Sequence, residues 1–304
     1  MNDALFVAKA GENDRCPTPL LEVYPGLLAK FECNNPGGSH KVRAARYIIQ
    51  RGLKDGTIIP GVTTVIEKTG GNFGFGLAVA CAEINVPVEL AVGLSFSPIK
   101  RRCLEMFGAK LIGIDMLKRG AAPREVIESH LARAQELGKQ YHYTDQFNNQ
   151  GNVAAHEQET GPEIVAQLRT WEQVNSITFV SGAGTGASLT GITRALKRAG
   201  YDVRVVLVDP AGCNSREGVF VDHRLEGISV GVKPPLIDWT LVDDWTSVTY
   251  ERMLEMQRQF ATTHGYYVGN TAAACLSVAH SLAPGVSEKH KVLTMIYDHG
   301  LWYT

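Results

Sequence analysis

The sequence predicts an α/β protein of two domains, each a mostly parallel, twisted sheet flanked by helices. Segments with the apolar pattern of strands alternate with segments of helical periodicity, as in TTVIEKTGGNFGFGLAVACAEINVPVELAVG. This alternation is typical of parallel sheets that are covered by helices. The chain has 304 residues, of which 44% are hydrophobic and 20% charged. That is enough for two packed cores.

The first predicted strand and helix flank a single lysine. The segment LLAKFE is predicted to be a strand, NPGG a turn, and VRAARYII the start of a helix directly after Lys41. A βαβ unit follows, and then a helix in SPIKRRCLEM and a strand in AKLIGID. The stretch PREVIESHLARAQELGKQYHYTD is helix-like throughout.

The second half of the chain begins after a stretch rich in Asn, Gln and Gly, which marks a passage between domains near Asp145. Another strand, glycine loop, helix and strand follow in SITFVSGAGTGASLTGITRALKRAGYDVRVVLVD. Two helices, YERMLEMQRQFATTHG and TAAACLSVAHSLA, precede a last strand, KVLTMIYD. We therefore expect a smaller domain of residues 35–145 and a larger domain of residues 1–34 plus 146–304.

The composition favours a small-molecule partner. A formal charge of −1, without a basic run interleaved with aromatic residues, gives no surface for nucleic acid. The six cysteines have no spacing typical of metal ligands, so we expect buried thiols and no metal site. The N-terminus lacks the pattern of a signal peptide, and no apolar stretch is long enough to span a bilayer. The sequence thus predicts a cytoplasmic protein with no membrane partner.

Lys41 lies where a helix begins, which is an unfavourable place for a cation because of the helix dipole. An amine whose charged form is disfavoured has a lowered pKa, and the neutral amine is the nucleophile that forms a Schiff base with an aldehyde. Pyridoxal phosphate carries both an aldehyde and an anionic group. The stretch by itself leaves open that Lys41 is a solvated loop residue.

The glycine-rich loop SGAGTGASLTG fits two kinds of anion site. The spacing Gly182-x-Gly184-x-x-Ala187 matches the dinucleotide fingerprint, and Asp209 ends the next predicted strand. Free N–H groups at a helix N-terminus hold a phosphate whichever cofactor carries it. An NAD-dependent dehydrogenase is therefore one alternative, but it leaves the Lys41 stretch unexplained.

A second glycine loop, TGGNFG at residues 69–74, also opens a predicted helix. Its backbone amides are free to bind an anion such as the α-carboxylate of an amino acid. A tight turn that needs glycine only for its backbone geometry is the alternative. Together with the other loop and Lys41, this loop completes a set suited to a pyridoxal phosphate enzyme that acts on an amino acid.

These stretches, in this order, resemble the cysteine synthase and cystathionine β-synthase family, which are fold type II pyridoxal phosphate enzymes. NPGGSHKVRAA is similar to the family's lysine motif, TGGNFG to its substrate loop, and GTGAS to its phosphate cup. DQFNNQGN and HEQETGPEI resemble the stretch after the interdomain crossover. EGI looks like the loop facing the cofactor, and VGNTAAA like the segment beside the pyridine nitrogen. The resemblance covers nearly the whole chain.

The resemblance implies a role for each matching residue. The resemblance implies that Lys41 is the catalytic residue, that the cofactor lies between the two domains, and that the protein is a homodimer. The implied cofactor-binding residues are Lys41, Asn72, Gly184, Thr185, Gly186, Ala187, Ser188, Gly227 and Thr271. The implied substrate-binding residues are Thr69, Gly70, Gly71, Asn72, Phe73 and Gln146.

The implied partner of the pyridine nitrogen, Thr271, bears on the reaction type. A hydroxyl does not keep the nitrogen protonated as a carboxylate does, so the ring is a weaker electron sink. Loss of a β leaving group then competes better than transamination. We expect Lys41 to act as general base at Cα of a serine-like amino acid, which gives an aminoacrylate intermediate. Addition of a small nucleophile completes a β-replacement, whereas water gives the products of a serine or threonine dehydratase-like ammonia-lyase.

The sequence departs from the family pattern in the substrate loop, which commonly has the sequence T-S-G-N-T. Gly70 replaces the serine and Phe73 the second threonine, so two hydroxyls are lost and apolar surface is gained. We therefore expect an altered amino acid or nucleophile. We expect His40 to pack behind the residues that contact the cofactor, and the alternative is that it transfers a proton. A catalytically inert homologue is a further alternative.

Overall fold

The computed structural model describes residues 16–303, in which ten strands form two separate sheets. The strands are β1 (Leu20–Tyr24), β2 (Leu27–Phe31), β3 (Thr63–Lys68), β4 (Val88–Ala91), β5 (Lys110–Leu111), β6 (Gln140–Tyr143), β7 (Ser176–Gly182), β8 (Asp202–Pro210), β9 (Asp244–Val248) and β10 (His290–Ile296). The α-helices are α1 (Lys41–Lys54), α2 (Asn72–Ala82), α3 (Pro98–Met106), α4 (Ile114–Lys118), α5 (Pro123–Ala132), α6 (Gln150–Ala155), α7 (Gly161–Leu168), α8 (Ala187–Arg198), α9 (Tyr250–His264) and α10 (Asn270–Leu282).

Both sheets are mostly parallel. The larger sheet has the order β1-β2-β10-β7-β8-β9, in which the β1–β2 pair is antiparallel and the other pairs are parallel. The smaller sheet has the order β5-β4-β3-β6 and is parallel throughout. The predicted fold class, α/β with two mostly parallel sheets flanked by helices, is confirmed.

The strands of the two sheets come from different parts of the chain. All four strands of the smaller sheet lie between residues 63 and 143, and those of the larger sheet lie before and after that interval. The division at residues 35 and 145 stays a prediction.

Each sheet has its own hydrophobic core. Strand β2 is buried along its whole length, and β7 is buried after its first residue. Such continuous apolar runs are expected for strands with both faces covered. The smaller sheet packs with α1 and α2, and Phe73 and Phe75 of α2 belong to its core. The carboxyl end of β3 and the N-terminus of α2 are thereby held together.

A buried ion network fixes the helix that begins with Lys41. The guanidinium of Arg43 donates to both carboxylate oxygens of Glu32 at 2.7 Å and to Glu163 at 2.7 Å. Glu163, in α7, also pairs with Lys30 of β2. Because a charge inside a protein is costly unless it is paired, the network fixes α1 relative to the larger sheet.

Three predicted stretches differ from the structure. Residues 140–143, at the end of the helix-like stretch, form β6, because they pair with β3. The acidic stretch DWTLVDDW contains the start of β9, and the lead-in before LLAKFE contains β1. In each case pairing with a neighbouring strand overrides the weak local pattern.

Four of the six cysteines are buried, so the expectation of buried thiols is confirmed for these four only. Cys33, Cys81, Cys213 and Cys275 are buried, Cys103 is half-buried and Cys16 is exposed, and all six are free thiols. Within residues 16–303, no helix is both long and apolar enough to cross a membrane.

Candidate active site

A cavity of about 860 Å³ is lined by residues that come from both sheets and their loops. Its volume lies near the upper end of the roughly 300–1,000 Å³ typical of ligand pockets. It therefore has room for a cofactor together with a second small molecule.

The cavity brings together all but one of the fourteen residues predicted for the site. Those that line it are Lys41, Thr69, Gly70, Gly71, Asn72, Phe73, Gln146, Gly184, Thr185, Gly186, Ser188, Gly227 and Thr271. Ala187 is the exception, because its side chain is buried against Val153 and Leu236. The individual roles of these residues remain predictions.

Lys41 is half-buried at the first position of α1 and faces the cavity. Burial lowers the pKa of its ammonium group from 10.5 to about 8, while the carboxylate of Asp298 acts in the opposite direction. The expected direction of the shift agrees, but burial is the main cause, whereas the sequence had indicated the helix dipole. With this pKa, about a tenth of the amine is neutral at pH 7 and about half at pH 8, far more than for an unshifted lysine.

His40 precedes Lys41 and is 6% exposed. Its ring packs edge-on against Tyr297 at a centroid distance of 5.1 Å, and its Nδ1 has no hydrogen-bond partner among the described residues. Burial, together with the charge of Lys41, holds the pKa of His40 well below its ordinary value. A neutral, packed imidazole fits the expected packing role.

The loop before α8 has the geometry of a phosphate site. Gly186 is the N-cap of the helix and has a φ of +88°, in the left-handed region that favours glycine. The amides of Gly184, Thr185 and Gly186 have no acceptor within residues 16–303. Ser188 adds a hydroxyl in the first turn. Free amides at the positive end of a twelve-residue helix suit a dianionic phosphate.

The loop before α2 offers a second set of free donors. The amides of Gly70 and Gly71 have no acceptor within the described chain. A Cβ at Gly70 would lie 2.7 Å from Phe96 and Val92. Glycine is therefore favoured here because Phe96 and Val92 occupy the space that a serine side chain would take.

Phe73 contributes less to the cavity than its sequence position suggests. The residue is 2% exposed and belongs to the hydrophobic core of the smaller sheet. It lines the cavity but buries most of its ring in that core.

Asn72 is the first residue of α2, and its Nδ2 donates a hydrogen bond of 2.6 Å to Asp298. The hydroxyl of Tyr303 donates to the same oxygen of Asp298. An amide nitrogen has two hydrogens, so Asn72 has one besides the hydrogen that it gives to Asp298, and the Tyr303 hydroxyl is the neighbouring acceptor with which a cavity ligand would share it. This arrangement fits the implied contact of Asn72 with a ring oxygen.

Thr271 lies in the first turn of α10, and its hydroxyl donates to the carbonyl of Glu226 at 3.2 Å. The next residue, Gly227, lines the cavity beside this hydroxyl. A hydroxyl has a single hydrogen, so Thr271 must turn it from the Glu226 carbonyl to donate to a ring nitrogen that is not kept protonated.

Gln146 is held by a buried carboxyl group at the end of β3. Its backbone N–H donates to Glu67 at 3.1 Å, and the hydroxyl of Thr144 donates to the same oxygen at 2.6 Å. Burial raises the pKa of Glu67 to about 7. Glu67 therefore joins the carboxyl end of β3, which leads into the substrate loop, to the crossover segment that carries Gln146.

The residues in the cavity fit pyridoxal phosphate, since an amine of lowered pKa and a helix N-terminus with free amides share one space. The sequence model of the family described as pyridoxal-phosphate dependent enzyme matches residues 12–298. The chain belongs to this family.

The similar proteins place this pyridoxal phosphate-dependent enzyme beside the cysteine and cystathionine β-synthases. Cysteine synthase of Aquifex aeolicus (strain VF5) is 35% identical, over 91% of this chain and 82% of that protein. O-acetylserine-dependent cystathionine β-synthase from Helicobacter pylori superposes with a TM-score of 0.80 at 29% identity, covering 94% of both chains. O-ureido-L-serine synthase superposes with a TM-score of 0.82 at 28% identity, covering 94% of this chain and 90% of that one.

The structure does not support the alternative of an NAD-dependent dehydrogenase, which required Asp209 to bind the ribose of the cofactor. The carboxylate of Asp209 accepts from Ser215, Ser229 and the indole of Trp245 and is completely buried. It is therefore not available to a ribose. The cofactor of this family is pyridoxal phosphate.

Several residues of the cavity were not singled out from the sequence. Lys100 of α3 pairs with Glu226 at 2.8 Å across a separation of 126 positions, and it lies over the ring of Tyr303 at 4.4 Å. Ser97 caps α3 and Pro98 opens it, which was a readable signal for the helix but not for the contact. Lys68 also lines the cavity and follows Glu67 directly. Only the fold brings these residues to one site.

Proposed function

We propose that the protein catalyses a pyridoxal phosphate-dependent β-replacement on a serine-like amino acid that carries a leaving group on Cβ. One observation carries the proposal: a lysine of lowered pKa shares a cavity with two helix N-termini whose amides are free. One N-terminus suits a phosphate and the other suits an α-carboxylate.

Pyridoxal phosphate, when bound, supplies the electron-withdrawing ring that makes the Cα proton of the amino acid acidic. Lys41 holds the cofactor and moves the proton at Cα through its Nζ. Its pKa of about 8 suits this role, because a proton carrier works best when its pKa lies near the working pH.

The other residues of the site orient the cofactor. The amides of Gly184, Thr185 and Gly186 and the hydroxyl of Ser188 hold the phosphate. Asn72 donates its second amide hydrogen to the ring oxygen, and the Thr271 hydroxyl faces the ring nitrogen. These contacts fix the plane of the ring and use no carboxylate at the nitrogen.

The amino acid is held by its α-carboxylate at the N-terminus of α2. The amides of Gly70 and Gly71, with the hydroxyl of Thr69 and the side chain of Gln146, are the proposed donors. Phe96 shields this loop and replaces the hydroxyl that a serine at position 70 would supply. The relatives include an O-acetylserine-dependent cystathionine β-synthase and an O-ureido-L-serine synthase, so serine derivatives are the substrate class to test first.

The visible absorbance of the purified protein with pyridoxal phosphate tests the proposal. We expect a band of the lysine-bound cofactor that is lost in Lys41→Ala and retained in Lys54→Ala, an exposed lysine at the other end of α1. Serine derivatives with a β leaving group are then added one at a time. A protein that takes up no cofactor, or that turns over no such amino acid, would contradict the proposal.

Product analysis separates replacement from elimination. A new β-substituted amino acid that forms only with an added nucleophile supports β-replacement. A keto acid and ammonia formed without a nucleophile would instead make the protein a dehydratase-like lyase. The same absorbance and product measurements detect an inert homologue, which would bind the cofactor and convert nothing.

A homodimer and a cytoplasmic location remain predictions. Sedimentation equilibrium of the cofactor-loaded protein tests the first, and fractionation of the source cells tests the second.

A further inference from the structure

Lys68 carries a positive charge into the cavity without a carboxylate partner. It is the last residue of β3 and directly precedes the loop of Thr69, and it is half-buried. It forms no ion pair with any carboxylate of residues 16–303, and its Nζ lies 5.5 Å from the centre of the Phe147 ring. A partly buried cation is costly unless an anion or a polar partner reaches it.

The nearest acidic residue in the chain is already occupied. Side chains alternate between the faces of a strand, so Glu67 and Lys68 leave β3 on opposite sides. The oxygens of Glu67 accept from Thr144, from the amide of Gln146 and from the backbone amide of Lys68 itself. Both carboxylate oxygens of Glu67 therefore accept hydrogen bonds, of which those from Thr144 and Gln146 join β3 to the segment that contains these two residues.

The other cations of the cavity have partners or an assigned task. Lys100 pairs with Glu226 at 2.8 Å, and Arg124 pairs with Glu128 at 2.7 Å. Lys41 is the proposed cofactor residue. Among the described cations of the cavity, Lys68 is therefore the one with no carboxylate in an ion pair and no assigned role. Its neighbours are the Phe147 ring and, through its charge, the already hydrogen-bonded Glu67.

The α-carboxylate of an amino acid does not need Lys68. The amides of Gly70 and Gly71 are free, and the first amides of α2 have no partner within the helix. These donors already match the single charge of that group. A cavity of about 860 Å³ also leaves space for more than a cofactor and a serine derivative.

We propose that Lys68 binds a second anionic group, a carboxylate or a phosphate, that the substrate pair carries in addition to the α-carboxylate. The group belongs either to the β leaving group of the amino acid or to the incoming nucleophile. Phe147 holds the ammonium in place, and the Lys68 side chain selects between substrates by charge. This inference rests on the proposed function and specifies its substrate class.

Equilibrium binding to the cofactor-loaded protein tests the charge requirement without turnover. The probes are L-aspartate and L-2-amino-3-phosphonopropionate, which carry a second anion, and L-alanine, which does not. If the amino acid carries the second anion, Lys68→Met should raise the Kd of the first two roughly 10- to 100-fold, because one charged hydrogen bond is lost. The Kd of L-alanine stays unchanged, Lys68→Arg restores binding, and Arg124→Met serves as the control for a cation that is already paired.

Kinetics then identify which reactant carries the anion. If the leaving group carries it, Lys68→Met raises KM for O-phospho-L-serine and leaves KM for O-acetyl-L-serine unchanged, with sulfide as the nucleophile in both. If the nucleophile carries it, the variant raises KM for L-homocysteine or L-glutamate and leaves KM for sulfide unchanged. Either result supports the inference.

Two results would overturn it. An equal loss of affinity for all three amino acids in Lys68→Met would assign Lys68 to the α-carboxylate. Unchanged affinity for all three, together with an unchanged KM for O-phospho-L-serine, L-homocysteine and L-glutamate, would leave Lys68 only its contact with Phe147. Both are distinct from failure of the proposed function, in which the wild-type protein takes up no cofactor or turns over no serine derivative.

Discussion

The side-chain amide of Asn72 and the buried carboxylate of Asp298 are joined by a hydrogen bond of 2.6 Å, although 226 positions separate them in the chain. Asn72 begins α2 beside the smaller sheet, and Asp298 follows β10 of the larger sheet. Tyr303 donates to the same carboxylate. The bond fixes the orientation of the amide on which the proposed contact with the cofactor ring depends.

The lowered pKa of Lys41 predicts how cofactor uptake depends on pH. The neutral amine is the reactive form, so the rate of covalent uptake of pyridoxal phosphate by cofactor-free protein should rise about tenfold per pH unit below pH 8 and level off above it. Stopped-flow absorbance measures this rate. A rate that keeps rising up to pH 10 would indicate an unshifted lysine.

Asp298 should influence the pH dependence of cofactor uptake. Its carboxylate stabilises the charged form of Lys41, so Asp298→Asn should lower the pKa of Lys41 and move the midpoint of uptake below pH 8. The measurement is the same uptake rate. Tyr303→Phe removes a hydrogen bond but no charge, and its midpoint should stay close to that of the wild type.

Gly70→Ser should destabilise the protein by about 1–3 kcal/mol, because the new Cβ would lie 2.7 Å from the ring of Phe96. Urea unfolding measures this loss. In the background of Phe96→Ala the same substitution should cost less, because only the contact with Val92 remains, so the double-mutant cycle should show a coupling energy. Additive effects would mean that Phe96 does not exclude a side chain at position 70.

Arg43→Met should reduce the free energy of unfolding by about 3–5 kcal/mol, because it leaves the buried Glu32 and the partly buried Glu163 without their partner. Arg124→Met, which breaks an exposed pair within α5, should cost less than about 1 kcal/mol. Chemical denaturation compares the two. Equal effects would mean that the Arg43 network does not hold α1.

Glu67 should make the protein less stable as the pH rises from 4.5 to about 7. Its pKa is raised in the folded state, so the folded protein binds more protons than the unfolded chain in this window. The stabilising effect is complete below pH 4.5 and is lost above pH 7. In Glu67→Gln this part of the pH dependence of unfolding should disappear, which thermal melts across the window will test.

Much of the fold could be predicted from the chain because its signals are local. The βαβ pattern, the glycine loops before α2 and α8, and the capped helices follow from periodicity and turn residues. Strands β1, β6 and β9 were not predicted, because short strands are stabilised by pairing with a neighbour as much as by their own pattern.

The site was predictable where one stretch carries both the chemistry and its geometry. Lys41 and the two glycine loops are of this kind. Lys68, Phe96 and the Lys100–Glu226 pair are not, because their importance comes from residues distant in the chain. The same holds for Gly70, where the sequence indicates a lost hydroxyl and the structure adds the aromatic ring that fills its place.

The sequence by itself determined the α/β class, the family, the cofactor and the lysine proposed to hold it, because these are carried by short stretches in a fixed order. Tertiary structure decided the electrostatics of the site. The pKa of Lys41, the hydrogen bond from Asn72 to Asp298 and the unpaired charge of Lys68 depend on which groups the fold buries together. Burial and pairing determine the free energy of a charged group, and neither can be predicted from the residues adjacent to it in the sequence.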